Sequence, residues 1–85
     1  MNISRIEQRV LHALAQGGCI RHTRGPNGRV IETLCVTREG FILADCTPAI
    51  FSALRRKRLI ESRASQPYRI SDLGRRSVRA QANNR

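Results

Sequence analysis

The sequence predicts an α+β fold, and three observations carry that prediction. A well-capped amphipathic segment opens the chain. A Gly-Pro-Asn-Gly turn then separates two runs of strand-forming residues. Finally, a basic helical segment passes directly into an apolar doublet, a polar loop and a short returning strand. At 85 residues the chain suits one domain over 1–85, with a modest core and little room for a deep catalytic cleft.

The elements follow in order. Ser4-Arg5-Ile6-Glu7 is a capping box, in which the Ser4 hydroxyl accepts from the Glu7 amide and the Glu7 carboxylate reaches back. Ile3 stands where a hydrophobic staple would. Ile6, Val10, Leu11 and Leu14 recur at helical spacing, Ala13 widens the stripe, and Gly17-Gly18 ends the helix, predicted over 4–16. Cys19 to Arg24 and Arg29 to Val36 read as hairpin strands around Gly25-Pro26-Asn27-Gly28. A three-residue loop with a bulge at Gly28 predicts that Cys19 faces Cys35, Ile20 faces Leu34 and His22 faces Glu32. Thr37-Arg38-Glu39-Gly40 is a second turn, and Phe41 to Ala44 reads as a third, buried strand. Thr47 caps a helix over 48–57, with Pro48 at its first position and Ile50, Phe51 and Leu54 facing the core. Leu59 to Arg63 and Tyr68 to Ile70 read as two strands joined by Ala64-Ser65-Gln66-Pro67. Ser71 or Asp72 caps a last helix over 72–81, and 82–85 read as a frayed tail.

The stretch 47–80 resembles the end of many winged-helix domains. There a recognition helix is followed by an L-I doublet, here Leu59-Ile60, a two-stranded wing, and a Y-x-[LIV]-[ST]-x-x-G pattern, here Tyr68 to Gly74. This resemblance implies a winged-helix-like domain with an extra β-hairpin between helix 1 and the recognition-type helix. A hairpin stands where such domains place their second helix, which departs from ordinary helix-turn-helix docking. Over nearly its full length the chain resembles the YjhX-type small bacterial proteins: Asn2-Ile3-Ser4-Arg5, Glu7-Gln8-Arg9, Gly17-Gly18, Thr37-Arg38-Glu39-Gly40, Asp45-Cys46-Thr47, Leu59-Ile60, Gln66-Pro67-Tyr68-Arg69-Ile70 and Val78-Arg79-Ala80-Gln81 carry the likeness. That resemblance implies a candidate toxin of a toxin–antitoxin pair. It supplies no active-site residues.

Charge points to the partner. Sixteen basic residues face six acidic ones, a net +10, and the excess is lopsided. Residues 1–54 hold six basic against four acidic groups, +2, whereas 55–85 hold ten against two, +8. Such a field attracts polyanions, of which nucleic acid is the commonest. An acidic protein, such as an antitoxin, also fits. No apolar run is long enough to span a bilayer and no signal peptide is visible, so the expectation is a cytoplasmic protein without a membrane partner. The sequence names no oligomeric state.

The expected interface comprises Ser52, Arg55, Arg56, Lys57 and Arg58 on the basic helix and its end, with Arg63 and Arg69 flanking the wing loop. These groups would contact phosphate first. Ser52, Arg55 and Arg56 are the candidates for base edges, because arginine matches guanine through two parallel hydrogen bonds. At 100° per residue the four consecutive cations cannot share one helix face. No cofactor is expected. Cys19, Cys35 and Cys46 are odd in number, without C-x-x-C spacing, and read as reduced thiols packed as small hydrophobes. Cys19, His22 and Cys35 fall one ligand short of a zinc site. Nothing in the sequence demands catalysis. A ribonuclease reading would take His12 or His22 as general base, an arginine for the phosphate, and Glu32 or Glu39 as the histidine's partner.

Overall fold

The computed structural model describes residues 2–80. The predicted tail at 82–85 lies outside the described residues. The order of elements is α1 (Arg5–Ala15), β1 (Cys19–Arg24), β2 (Val30–Val36), β3 (Ile42–Leu43), α2 (Pro48–Arg56), β4 (Ile60–Glu61), β5 (Arg69–Ile70) and α3 (Asp72–Ala80). The α+β class is as the sequence predicts. Strands β1, β2 and β3 form one antiparallel sheet in that order, and β4 pairs with β5 in a second.

Local chemistry explains the helix ends. Ser4 caps α1 through the full box: its Oγ accepts from the Glu7 amide at 3.1 Å, and its own amide donates to Glu7 Oε1 at 2.7 Å. The helix closes with Gly18 N–H donating to the Ala13 carbonyl and Gly17 N–H to that of Leu14, with Gly17 at φ 109°. This is a Schellman motif, and its left-handed position carries glycine. Thr47 caps α2 by accepting from the Ile50 amide at 3.2 Å. Ser71 caps α3, its Oγ accepting from the Gly74 amide at 3.0 Å and donating to the Arg58 carbonyl at 2.7 Å. One hydroxyl thus fastens the start of α3 to the turn that ends α2. Gly74 is required at that junction, since a Cβ there would overlap the Leu59 carbonyl and the Ile70 side chain.

One cluster of buried side chains joins the elements. Val10, Leu11, Ile20, Cys35, Phe51, Leu54 and Leu59 are fully buried, with Leu14, Cys46, Ile60 and Ile70 beside them. Each such large aliphatic or aromatic side chain contributes about 1.5–3 kcal/mol by leaving water. Burial pushes the Cys35 thiol up to about 11, and the neighbouring Cys46 and Cys19 thiols add to the shift. The two sheets meet where Ile20 and Tyr68 exchange backbone hydrogen bonds of 2.8 and 2.9 Å.

The hairpin register corrects the expected one. The loop forms as predicted, with Gly25 N–H donating to the Arg29 carbonyl at 2.8 Å and Gly28 at φ 79°. Arg24 pairs with Val30, but a bulge then intervenes at Ile31, so Thr23 pairs with Glu32, His22 with Thr33, Arg21 with Leu34, Ile20 with Cys35 and Cys19 with Val36. The extra residue moves every later pair by one. It turns Thr33 and Cys35 inward, and the Thr33 hydroxyl is satisfied by the Cys46 carbonyl at 2.7 Å. It also turns Leu34 outward.

Two burial expectations also change. β3 is an edge strand rather than a buried one, since it pairs only with β2 and leaves Ile42 61% exposed. On α1, Ile6 is exposed while Glu7 is 3% exposed. Glu7 is accommodated because its carboxylate meets the Lys57 ammonium at 2.9 and 3.0 Å. No helix among the described residues is long and apolar enough to cross a membrane.

Candidate nucleic-acid interface

Helix α2 buries Phe51 and Leu54 against the sheet and turns its other side to solvent. Counted at 100° per residue, Ser52 and Arg56 stand opposite the Phe51–Leu54 side, and Arg55 stands at its flank. All three are exposed and line a shallow concavity of about 380 Å³. No carboxylate among the described residues pairs with Arg55 or Arg56.

Lys57 sits differently from its neighbours. Its ammonium donates to Glu7 Oε1 and Oε2 and to the Asn2 carbonyl at 2.6 Å, so its N–H groups are taken up inside the molecule. It fastens the end of α2 to the start of α1 and does not project with Arg55 and Arg56. Burial raises the Glu7 carboxyl, but the Lys57 hydrogen bond, the Ser4 amide and the Lys57 charge together hold it below its ordinary value.

Arg58 ends α2 with its backbone at φ 62°. Leu59 N–H donates to the Leu54 carbonyl and Arg58 N–H to that of Arg55, both at 3.0 Å, which repeats the Schellman geometry of α1 with arginine in the glycine position. The side chain is exposed.

The β4–β5 hairpin carries the remaining predicted residues. Arg63 and Arg69 line a cavity of about 390 Å³ with Glu61, Gln66, Pro67, Ile70, Asp72 and Arg75. Arg63 is held by Glu61 at 3.0 Å but stays 85% exposed, and Arg69 reaches the Gly17 carbonyl at 3.5 Å. The predicted residues therefore fall into two groups, one on α2 and one around the β4–β5 hairpin, with Lys57 in neither. The α2 group sets two arginines beside Ser52 with no carboxylate, whereas the β4–β5 group mixes three arginines with two carboxylates. Arg75 joins the β4–β5 group although the sequence pattern did not single it out. The available signal was the direct passage of Ile70 into the α3 cap, which sets the first turn of α3 against β5.

Neither histidine is ion-paired with a carboxylate among the described residues. His22 stacks on Phe51 with ring centroids 5.6 Å apart and meets Tyr68 edge-on at 5.5 Å. Its predicted partner Glu32 pairs with Thr23 instead, on the opposite face of the sheet. His12 is exposed, beside Gln16 at 3.3 Å. Cys19 and Cys35 point to opposite faces, and no group of three or more metal-ligating side chains converges among the described residues.

A family model described as "Putative toxin of bacterial toxin-antitoxin pair" matches residues 1–85. The chain belongs to the YjhX toxin family. Curated relatives in this family are UPF0386 proteins. That of Beijerinckia indica is 71% identical over the whole of both chains, that of Brucella anthropi 67% and that of a Ruegeria species 66%, again over the whole of both. No solved structure matches the chain. The family description names a pair without naming an active site.

Proposed function

We propose that this chain binds nucleic acid, and DNA foremost, through the exposed side of α2 with Arg58 and the wing arginines as flanking contacts. The observation that carries the proposal is the exposure of Arg55 and Arg56 beside Ser52, with no carboxylate among the described residues to neutralise them. Neutralising phosphates releases counterions, so binding is driven first by charge. Arg55 and Arg56 are the residues suited to guanine edges once the backbone is engaged. Lys57 contributes indirectly, by fixing the end of α2. Backbone strain supports the same region, since Arg58, Ala64 and Ser65 are the positive-φ non-glycine residues among those described and all lie from the α2 end to the tip of the β4–β5 hairpin. Such strain gathers at working surfaces.

The test is binding of the purified protein to a short DNA duplex across a salt series. Arg55→Ala with Arg56→Ala should weaken binding and make the log–log salt slope shallower by about 2, at roughly 0.9 per phosphate contact. Unfolding curves should hardly move, because both side chains are exposed. Undiminished affinity in the double variant would remove this surface. A second reading rests on the family's place in a toxin–antitoxin pair: an acidic partner protein covers the same arginines and competes with DNA.

A further inference from the structure

The outer face of the three-stranded sheet is covered by no other element among the described residues. Ile20, Thr33 and Cys35 are buried on its inner side, so strand alternation places Arg21, Thr23, Glu32, Leu34, Val36 and Ile42 on the outer side. An antiparallel sheet with one solvated face ordinarily alternates apolar inside and polar outside. Here the outer side has an apolar centre. Of the five exposed large hydrophobic residues among those described, three belong to β2 and β3 on this side: Ile31 at 59%, Leu34 at 36% and Ile42 at 61%. Clustered apolar exposure of this kind marks an interaction surface.

We propose that this face docks a second copy of the chain, sheet against sheet, about a two-fold axis. Charge selects that occupant. The face carries one arginine, Arg21, and one carboxylate, Glu32, both exposed and neither in an ion pair among the described residues. They lie on adjacent strands, diagonally placed, with Leu34 directly opposite Arg21. The face is thus neutral and self-complementary. In an isologous packing each Arg21 meets the Glu32 of the other copy while Leu34, Val36 and Ile42 close the centre. An acidic partner would instead be drawn to the arginines of α2, which stand on the far side of the Phe51–Leu54 layer. Those arginines do not oppose the dimer strongly, because a core about 10 Å thick separates them from the contact and the screening length at physiological salt is about 8 Å. The proposal is independent of nucleic-acid binding.

Sedimentation equilibrium of the full chain, from micromolar to several hundred micromolar, tests it. The expected mass rises from that of one 9.6 kDa chain to twice that value. Leu34→Glu with Ile42→Glu alters only exposed positions and should hold the protein monomeric, with circular dichroism confirming that it remains folded. Arg21→Glu should weaken association about tenfold, and adding Glu32→Arg should restore it, because the swap re-forms both pairs. A wild-type chain that stays monomeric throughout would overturn the proposal. So would a charge swap that fails to restore association, or a monomer that binds an acidic protein through this face.

Discussion

Arg58 and Gly17 occupy the same position in two copies of one motif, at φ 62° and 109° respectively. Glycine meets no Cβ penalty there, whereas an L side chain costs about 1–2 kcal/mol. Glycine gives back part of that difference by loosening the unfolded chain. Arg58→Gly is therefore expected to stabilise the protein by about 0.5–1 kcal/mol net in urea unfolding. If Arg58 serves phosphate contact, the same variant should bind DNA less tightly. A variant that loses stability would show that the Arg58 side chain holds the turn. Lys57 illustrates the opposite case. It is the one lysine among sixteen basic residues, and its flexible ammonium is the cation that turns inward to Glu7 and the Asn2 carbonyl. Charge counting along the sequence treats Lys57 and Arg56 alike, because their difference depends on a carboxylate 50 positions away.

The β4–β5 hairpin shows how a short element holds its shape at some cost. Its turn runs from Arg63 to Gln66, closed by the Gln66 amide donating to the Arg63 carbonyl at 2.9 Å, with Ala64 at φ 52° and Ser65 at φ 61°. Two left-handed central residues make a type I′ turn, whose preferred pair is Asn-Gly. Ala64→Asn with Ser65→Gly should raise stability by about 1 kcal/mol and the melting temperature by several degrees, read by thermal unfolding. An unchanged or lower melting temperature would mean that the present residues make compensating contacts. The elements themselves were largely legible: capping residues at Ser4 and Thr47, the Pro26-Asn27-Gly28 loop and the Tyr68–Ile70 return all stand where sequence chemistry puts them. The hairpin register was not. A bulge is favoured by which side chains the core accepts, and Thr33 is accepted inside only because the Cys46 carbonyl, from a distant turn, receives its hydroxyl.

At the scale of the whole molecule, Glu7 and Lys57 join the first helix to the end of the second. The Glu7 carboxyl is held below its ordinary 4.5, so its stabilising effect is present above the unfolded value and is lost as pH falls through the lower, folded one. Glu7→Gln should cost about 1–2 kcal/mol near neutral pH, a modest figure because Lys57 keeps partial access to water. The difference between wild type and variant should shrink below pH about 4.5 as the wild-type carboxyl takes up its proton. Urea unfolding at pH 7 and pH 3 measures this, and a pH-independent difference would refute the attribution. The layers also set where partners can approach. The free arginines of α2 and the apolar face of the sheet stand on opposite sides of the core, so the two proposed contacts, with DNA and with a second copy, do not compete for one surface.

The sequence by itself determined the fold class, the caps and turns, and the arginine-rich character of the C-terminal part, because these depend on local φ/ψ preference, periodicity and composition. Tertiary structure alone decided which cations reach solvent, how β1 registers on β2, and that the outer sheet face is left bare. Those outcomes depend on pairings between residues far apart in the chain: a buried carboxylate choosing Lys57, and a buried hydroxyl choosing the Cys46 carbonyl. No local pattern encodes such pairings, since they form only where packing has already removed water.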